Sequence, residues 1–163
     1  MKVLVMSDSH GRDSNVMEAL EREMPFDVLI HLGDTQEDEE EFCMCVAGED
    51  IPVYLVSGNC DLFADYPPAR IVTLAGHRLL LAHGHTHYVN YGTQELAADA
   101  KGNRCEIALY GHTHRPEIDE SDPDLMILNP GSISYPRQSP RRRTYMILTL
   151  EPGKCPEVEL RQL

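Results

Sequence analysis

The sequence predicts an α/β fold in which two mixed β-sheets stack face to face and carry helices on their outer faces. The first half of the chain alternates short β-branched runs with helical patterns, and this order favours parallel strands. The second half is rich in strands that follow one another closely, which predicts a second sheet. No segment has the composition of a linker, so we expect one domain spanning residues 1–163.

The first half reads as strand, helix, strand, helix, strand. The helix at 13–24 is indicated by apolar residues at helical spacing, among them Val16 and Leu20. A second helix, ending at Gly48, is expected from the run QEDEEEFCMCVAG. The three strands are predicted at residues 2–7, 27–33 and 51–58.

The second half begins with a predicted hairpin whose turn is centred on Gly76, and His77 is expected to be a solvated turn residue. One helix follows at 93–101. The strands of this half are predicted at residues 70–76, 77–84, 105–111, 124–131, 144–151 and 157–163.

The composition narrows the classes of function. A formal net charge of −13 opposes nucleic acid and anionic membranes, and no extended basic surface is visible. No apolar run approaches the ~20 residues that span a bilayer, and the N-terminus lacks a signal-peptide pattern, so we expect a cytoplasmic protein. Five irregularly spaced cysteines do not indicate a disulfide framework.

Metal-competent side chains follow the predicted strands, at the edge where ligands of parallel sheets gather. Each of these residues alone is typical of a turn or helix cap, but their repetition at successive strand ends predicts a metal site. They are Asp8, His10, Asp34, Asn59, His83, His112 and His114.

The ligand chemistry predicts two divalent ions. Carboxylate, amide and imidazole groups without thiolate suit Mn, Fe, Ni or Zn. Seven ligands exceed the needs of one ion, and Asp34, alone at its strand end, is the natural bridge. Alternation along an extended chain predicts that Asp8 and His10 face the same side, as do His112 and His114.

The ordered series DSHG (8–11), GD (33–34), GNCD (58–61), HGH (83–85) and GHTH (111–114) resembles the calcineurin-like metallophosphoesterases, and most closely their small YfcE-type phosphodiesterases. NPGSISYPR (129–137) is similar to that subgroup's C-terminal signature. The resemblance implies a four-layer αββα sandwich. It also implies one metal on Asp8, His10, Asp34 and His114, and a second on Asp34, Asn59, His83 and His112.

Manganese is the first expectation for both ions, and the expected reaction is hydrolysis of a small phosphate ester, most simply a diester. A hydroxide bridging the two ions would attack phosphorus, assisted by Asn59. Cys60 occupies the position where most of the superfamily has histidine, so its role is either catalytic or supporting. His85 is expected to line the phosphate pocket, whereas His87 is expected to be ordinary surface.

Three further residues are candidates for supporting roles. His31 and Asp61 either orient the ligands or have plain structural roles. Arg137, together with the arginines at 141–143, either contacts substrate phosphate or belongs to a surface loop. The alternatives to a phosphodiesterase are a nuclease using the same site and a non-catalytic protein-interaction scaffold, and a homodimer is possible because two sheets leave edges open.

Overall fold

The computed structural model describes residues 1–36, 51–62 and 65–163. The described chain contains two five-stranded sheets and two α-helices, which confirms the predicted fold class. The elements are β1 (Lys2–Met6), α1 (Asp13–Glu23), β2 (Val28–His31), β3 (Val53–Leu55), β4 (Ala69–Leu74), β5 (His77–Ala82), a 3₁₀ turn (His85–His87), α2 (Gln94–Gly102), β6 (Ile107–Leu109), β7 (Pro116–Asp122), β8 (Leu125–Pro130), β9 (Thr144–Thr149) and β10 (Glu157–Gln162).

Both sheets are mixed. The first has the order β10-β9-β1-β2-β3, with β1, β2 and β3 parallel and the last two strands of the chain antiparallel at one edge. The second has the order β4-β5-β6-β8-β7, in which β5, β6 and β8 are parallel. Each sheet therefore has a parallel centre whose carboxyl ends can gather ligands.

Alternation along the strands produces four layers. In β1, Val3 and Val5 belong to the core between the two sheets, whereas Leu4 and Met6 pack with the apolar face of α1. On the second sheet, Leu80 faces outward and packs with α2. The order of layers is thus helix, sheet, sheet, helix, as the resemblance implies.

Strand β7 was not anticipated, because its sequence PEIDESD contains one aliphatic residue and four acidic ones. It forms because it is an edge strand that pairs antiparallel with the buried β8, so most of its side chains can remain in solvent. The predicted helix ending at Gly48, together with Cys43 and Cys45, falls outside the described residues. The three cysteines that are described, Cys60, Cys105 and Cys155, are free thiols.

The expectation for His77 was wrong. The turn residues are Ala75 and Gly76, with φ of 48° and 89°, so His77 is already the first residue of β5. It is 5% exposed, its Nε2 lies 3.0 Å from the carbonyl oxygen of Glu151, and its Nδ1 lies 3.2 Å from Glu106 Oε1.

Among the helices in the described ranges, none has the length and apolar character needed to cross a bilayer.

Candidate metal centre

The candidate ligands meet where the central strands of both sheets end. Asp8 and His10 follow β1, and His83 follows β5 in the other sheet. The two sheets touch here through polar contacts: the His112 backbone N–H donates to Asp8 Oδ2 at 3.2 Å, and His83 Nε2 lies 3.5 Å from Asp34 Oδ2. Residues 104 positions apart therefore share one site.

The ligands are presented by left-handed turns rather than by extended chain. Five of the predicted ligands have positive φ, between 50° and 66°: Asp8, His10, Asp34, His112 and His114. We predicted that Asp8 and His10 share one face of an extended chain. The two side chains do face one site, but the backbone there is left-handed and not extended. Such a conformation costs a residue other than glycine about 1 kcal/mol or more, and its concentration at functional sites is typical.

Two glycines permit the close approach of these turns. Gly33 has a φ of 93°, and a Cβ there would lie 2.6 Å from the backbone nitrogen of Gly58. A Cβ on Gly111 would lie 2.0 Å from Ser7 Oγ. Any larger residue at either position would push apart the turns that carry Asp34, Asn59 and His112.

The hydrogen bonds of His114 determine which of its nitrogens faces the site. Nδ1 lies 2.7 Å from the carbonyl oxygen of Tyr135, and because a carbonyl only accepts, Nδ1 carries the proton. In the neutral ring Nε2 is then a lone pair, yet it lies 3.1 Å from Asp8 Oδ1 and 3.4 Å from His10 Nε2. The lone pair of His114 Nε2 repels the Asp8 carboxylate oxygen unless a proton or a metal cation lies between them.

His83 repeats the arrangement on the other side of the site. Its Nδ1 lies 2.7 Å from the carbonyl oxygen of Leu32, so the proton belongs on Nδ1. Its Nε2 lies 3.3 Å from Asn59 Oδ1 and 3.5 Å from Asp34 Oδ2, both of which are acceptors. Each imidazole is therefore oriented by a carbonyl behind it, as in protein metal sites.

The two carboxylates have a matching asymmetry. Asp34 Oδ1 accepts from the Cys60 backbone N–H at 2.8 Å, whereas its Oδ2 faces His83 and lies 3.7 Å from His10 Nε2. Asp8 uses Oδ2 for the His112 backbone, and its buried Oδ1 has no hydrogen-bond partner within the described chain. One oxygen of each carboxylate is anchored and the other is available to a cation.

This donor set fits divalent metal ions. Three groups of side chains can bring ligand atoms within 4.8 Å of one another: Asp8 with His10 and His114, Asp8 with Asp34 and His83, and His10 with Asp34 and Cys60. Buried oxygens and imidazole nitrogens with few protein donors are the chemistry that Mn, Fe and Zn bind.

The electrostatics of the cluster favour a positive charge beside Asp34 and Asp8. Burial alone lowers the pKa of His83, but the carboxylates of Asp34 and Asp8 raise it above its ordinary value. Burial alone raises the pKa of Asp34, but hydrogen bonding to His83 brings it below its ordinary value. A proton on His83 therefore substitutes for the cation, and a metal ion must compete with it as the pH falls.

Cys60 lies beside this cluster and keeps its proton. Burial and the neighbouring Asp34 carboxylate raise the pKa of its thiol to about 11. The sulfur lies 3.3 Å from the Asn59 side-chain nitrogen. A neutral thiol next to the cluster can donate a proton, and it does not add to the negative charge of the site.

His112 is placed at the site with a different orientation. Its ring lies 5.1 Å from that of His83, but its Nε2 lies 2.8 Å from the side-chain nitrogen of Asn90. Asn90 was not anticipated, since it stands alone in the loop after the 3₁₀ turn and belongs to no motif. Burial lowers the pKa of His112, which keeps its ring neutral and able to act as a ligand.

The tetrapeptide GHTH occurs at residues 84–87 as well as at 111–114, and in the first copy one of the two histidines is placed as expected. His85 is half-buried, its ring is 5.4 Å from His83, and burial lowers its pKa. His87 is less exposed than expected: 13% of its side chain is accessible, and its Nε2 lies 3.1 Å from Asp99 Oδ2 on α2. His87 thus joins the 3₁₀ turn to the helix and does not point into the metal cluster.

Asp61 and His31 support the turns. Asp61 Oδ2 accepts from the backbone N–H groups of Asp34 and Gly58, each at 2.7 Å, and so joins the turns after β2 and β3. His31 is fully buried, and its Nδ1 accepts from the Gly33 N–H at 3.2 Å. Burial lowers the pKa of His31 to about 4, so it is neutral.

Two residues of the NPGS segment have roles that the sequence did not reveal. Asn129 Nδ2 donates to the carbonyl oxygen of Gly111 at 2.9 Å and to Thr113 Oγ1 at 3.1 Å. Ser132 Oγ donates to the carbonyl oxygen of Asp8 at 2.9 Å. Both residues fix ligand-bearing turns, and their only sequence signal was their place in a motif.

Two clefts flank the His112–His114 turn. One has a volume of about 800 Å³ and includes His10, His114 and Tyr135 in its lining. The other has a volume of about 560 Å³ and includes Asn90 and Thr113. Arg137 is exposed and lines both, and its backbone N–H donates to the carbonyl oxygen of His114 at 3.0 Å.

Comparison with known proteins shows that the chain is similar to phosphoesterases. The model of the calcineurin-like phosphoesterase superfamily domain matches residues 1–153. The chain is 33% identical over 159 residues to the probable metallophosphoesterase YsnB of Bacillus subtilis, covering 93% of this chain and 85% of that protein.

Solved structures give the same result. A predicted phosphoesterase from Streptococcus pneumoniae TIGR4 superimposes with a TM-score of 0.86 at 30% identity, covering 99% of this chain and 88% of that one. The phosphoesterase Yfce from E. coli gives 0.68 at 26% identity, covering 91% and 88%. Vps29 from Entamoeba histolytica, in complex with zinc, gives 0.75 at 18% identity with 99% of each chain covered, a likeness of fold alone.

Proposed function

Because the chain belongs to the calcineurin-like phosphoesterase superfamily, we propose that it is a phosphodiesterase that uses two divalent ions, with manganese preferred, to hydrolyse small phosphate esters. The supporting observation is the convergence of acceptor atoms: Asp8 Oδ1 lies 3.1 Å from His114 Nε2, and Asp34 Oδ2 lies 3.5 Å from His83 Nε2. Asp8, Asp34 and His83 can bring ligand atoms within 4.8 Å of one another. Such a cluster needs cations.

The residues divide between two ions. Asp8, His10 and His114 would hold one ion, Asn59, His83 and His112 the other, and Asp34 both. Bound ions supply Lewis-acid charge beside the phosphoryl group and make water more acidic. The Leu32 and Tyr135 carbonyls hold the two imidazoles in the ligating tautomer.

The clefts on both sides of the His112–His114 turn favour a diester, since each can accept one of the two alcohol groups attached to phosphorus. In the reaction water adds to phosphorus, one P–O bond breaks, and the products are a phosphomonoester and an alcohol. The Asn59 amide is placed beside His83, where it can donate to the charge that develops on the phosphoryl oxygens.

The departing alcohol needs a proton, and two side chains can supply it. Cys60 carries one as a thiol, and His85 is half-buried with its ring near His83. The donor can be identified by comparing two substrates. An alkyl ester has a poor alkoxide leaving group that needs a proton, whereas a p-nitrophenyl ester releases p-nitrophenolate without one. Replacing the true donor by Cys60→Ala or His85→Ala should slow only the alkyl ester.

The proposal is tested by removing metal with a chelator, restoring Mn, Fe, Ni or Zn singly, and measuring hydrolysis of bis(p-nitrophenyl) phosphate and p-nitrophenyl phosphate. We expect no activity without metal, restoration with Mn, and faster hydrolysis of the diester. Inactivity towards both esters with every metal would overturn the proposal that the protein is an enzyme. Preference for the monoester would overturn the proposal that it is a phosphodiesterase.

The two alternatives predict different outcomes. A scaffold protein would retain partner binding and have no activity to lose in Asp8→Ala or Asn59→Ala. A nuclease would prefer polynucleotides, which the net charge of −13 opposes. A cytoplasmic location and a homodimer remain predictions; light scattering of the purified chain tests the latter.

A further inference from the structure

Three arginines line the larger cleft beside the candidate metal centre. Arg137, Arg141 and Arg143 share this lining with His10 and His114, and we call it the arginine cleft. The protein has 14 lysines and arginines against 27 acidic residues, so three cations in one cleft are a strong local departure from its average charge.

The arginine cleft is not neutralised by the described part of the chain. Its lining contains no carboxylate among the described residues, and in those residues none of the three guanidinium groups forms an ion pair. Arg143 Nη1 donates to the uncharged side-chain oxygen of Asn15, Oδ1, at 3.2 Å. Guanidinium groups that have no paired carboxylate among the described residues are suited to an anionic ligand.

The middle arginine of the RRR run points elsewhere. Arg142 does not line the arginine cleft, and its Nη1 donates to Gln162 Oε1 at 3.1 Å on β10. The segment therefore presents Arg141 and Arg143 to the arginine cleft, whereas Arg142 contacts β10.

The arginine cleft is continuous with the candidate metal centre. The ring of Tyr135 stands edge-on to His10 at 5.5 Å, and the Arg12 guanidinium lies 5.7 Å from the same ring and donates to its hydroxyl at 3.0 Å. A molecule whose phosphoryl group lies at His10 and His114 can therefore extend into the cleft that Arg137 and Arg141 line.

We propose that the arginine cleft binds a second phosphate group, carried by one of the two alcohols of the diester substrate. This proposal rests on the proposed function and narrows its substrate class. The smaller cleft sets Glu117 against Arg115 and Arg137, so it carries less positive charge than the arginine cleft, and the phosphorylated alcohol is better placed in the arginine cleft. Several guanidinium groups can bind a phosphate dianion through paired hydrogen bonds.

The test uses two probes that differ by one group: thymidine 5′-(p-nitrophenyl phosphate) and its 3′-phosphorylated form. In both, water adds to phosphorus and p-nitrophenolate leaves with the bonding electrons. For the Mn-loaded protein we expect kcat/KM to be about tenfold or more higher with the 3′-phosphate, the size of a charge-assisted contact. Arg141→Gln should bring the ratio towards one.

Arg142→Gln is the matched control, because it removes the same charge from the neighbouring position. It should keep the selectivity ratio of the wild type. Equal losses in Arg141→Gln and Arg142→Gln would show a long-range field effect and overturn the proposal. So would a ratio near one in the wild type, which leaves the phosphodiesterase intact.

A binding measurement separates the inference from the catalytic proposal. Calorimetry on the chelator-treated chain should give tighter binding of thymidine 3′,5′-bisphosphate than of thymidine 5′-monophosphate, with the difference lost in Arg141→Gln. If neither p-nitrophenyl ester is hydrolysed but this difference in affinity appears, the phosphodiesterase proposal is overturned and the second-phosphate site is supported. Tighter binding of an oligothymidylate than of the bisphosphate would overturn the second-phosphate site in favour of a polynucleotide.

Discussion

Two buried carboxylate environments at opposite ends of β1 have opposite chemistry. At its amino end, Glu23 Oε1 accepts from the Tyr145 hydroxyl at 2.8 Å, and Oε2 lies 3.0 Å from Lys2 Nζ. At its carboxyl end, Asp8 and Asp34 each direct one oxygen at imidazole nitrogens that offer lone pairs in the neutral rings. A carboxylate surrounded by hydrogen-bond donors stabilises the fold, whereas a carboxylate that faces acceptors is suited to binding a cation.

The largest expected effect is on activity at the carboxyl end. Asp34→Asn removes the charge that faces both His83 and His10, so we expect Mn-dependent hydrolysis of bis(p-nitrophenyl) phosphate to fall more than about 100-fold. Glu23→Gln should retain activity and serves as the control. Similar losses in both variants would erase the distinction between the two ends.

Metal should stabilise the carboxyl end alone. In the wild type each Mn ion, at 100 times its dissociation constant, should raise the free energy of unfolding by about 2.7 kcal/mol, since ligand binding to the native state adds to stability. Asp34→Asn should show a much smaller increase in melting temperature, whereas Glu23→Gln should show the full one. An equal Mn effect in all three proteins would contradict the account.

Without metal, the amino end should matter more for stability. Glu23→Gln removes a buried charge that is paired with Lys2 and Tyr145, and we expect a loss of about 1–2 kcal/mol, reduced by the partial exposure of Lys2. Denaturant unfolding of the chelator-treated chain measures it. Asp34→Asn should cost less when both are measured at alkaline pH, where His83 is neutral and its lone pair faces the Asp34 carboxylate; a larger loss there would reverse the comparison.

The contacts of Glu23 with Lys2 and Tyr145 should make the stability of the protein depend on pH. Burial alone raises the pKa of Glu23, but Lys2 and Tyr145 lower it below its ordinary value of 4.5 in the folded protein. Its contribution to stability is therefore full above about pH 4.5 and is lost as the pH falls towards the lowered value. The stability difference between wild type and Glu23→Gln should shrink below pH 4.5, and a difference that grows on acidification would be inconsistent with this pairing.

The smallest effect is expected at His87. This residue contacts Asp99 and not the candidate ligands, so His87→Ala should lower the melting temperature slightly and leave kcat/KM within about twofold. His83→Ala, in the same stretch of chain, is the contrasting variant. A large loss of activity in His87→Ala would extend the metal centre further than the structure places it.

The fold followed from patterns that act locally, and the misses have local causes. Alternating Val and Leu residues in β1 and the apolar spacing in α1 were sufficient to predict both elements. The acidic β7 was missed because its partner β8, and not its own propensity, makes it a strand. His77 was missed because the exact turn positions decide whether a residue is buried.

The sequence indicated which side chains lie close together, but not the backbone geometry that brings them there. Strand ends and glycines indicated where ligands lie, but left-handed backbone at Asp8 and His114 depends on contacts between turns of two sheets. The GHTH stretches show this most clearly. In the first copy His85 and His87 lie on a 3₁₀ turn, whereas in the second His112 and His114 have positive φ, and Nε2 of His114 lies beside Asp8 while Nε2 of His112 lies beside Asn90.

The central claim is that the facing acceptors bind two metal ions, one of them through His83. The most direct measurement is the number of Mn ions bound per chain at equilibrium, in wild type and in His83→Ala. We predict two ions in the wild type and one in the variant. A wild-type chain that binds none, or a His83→Ala chain that still binds two, would contradict the claim.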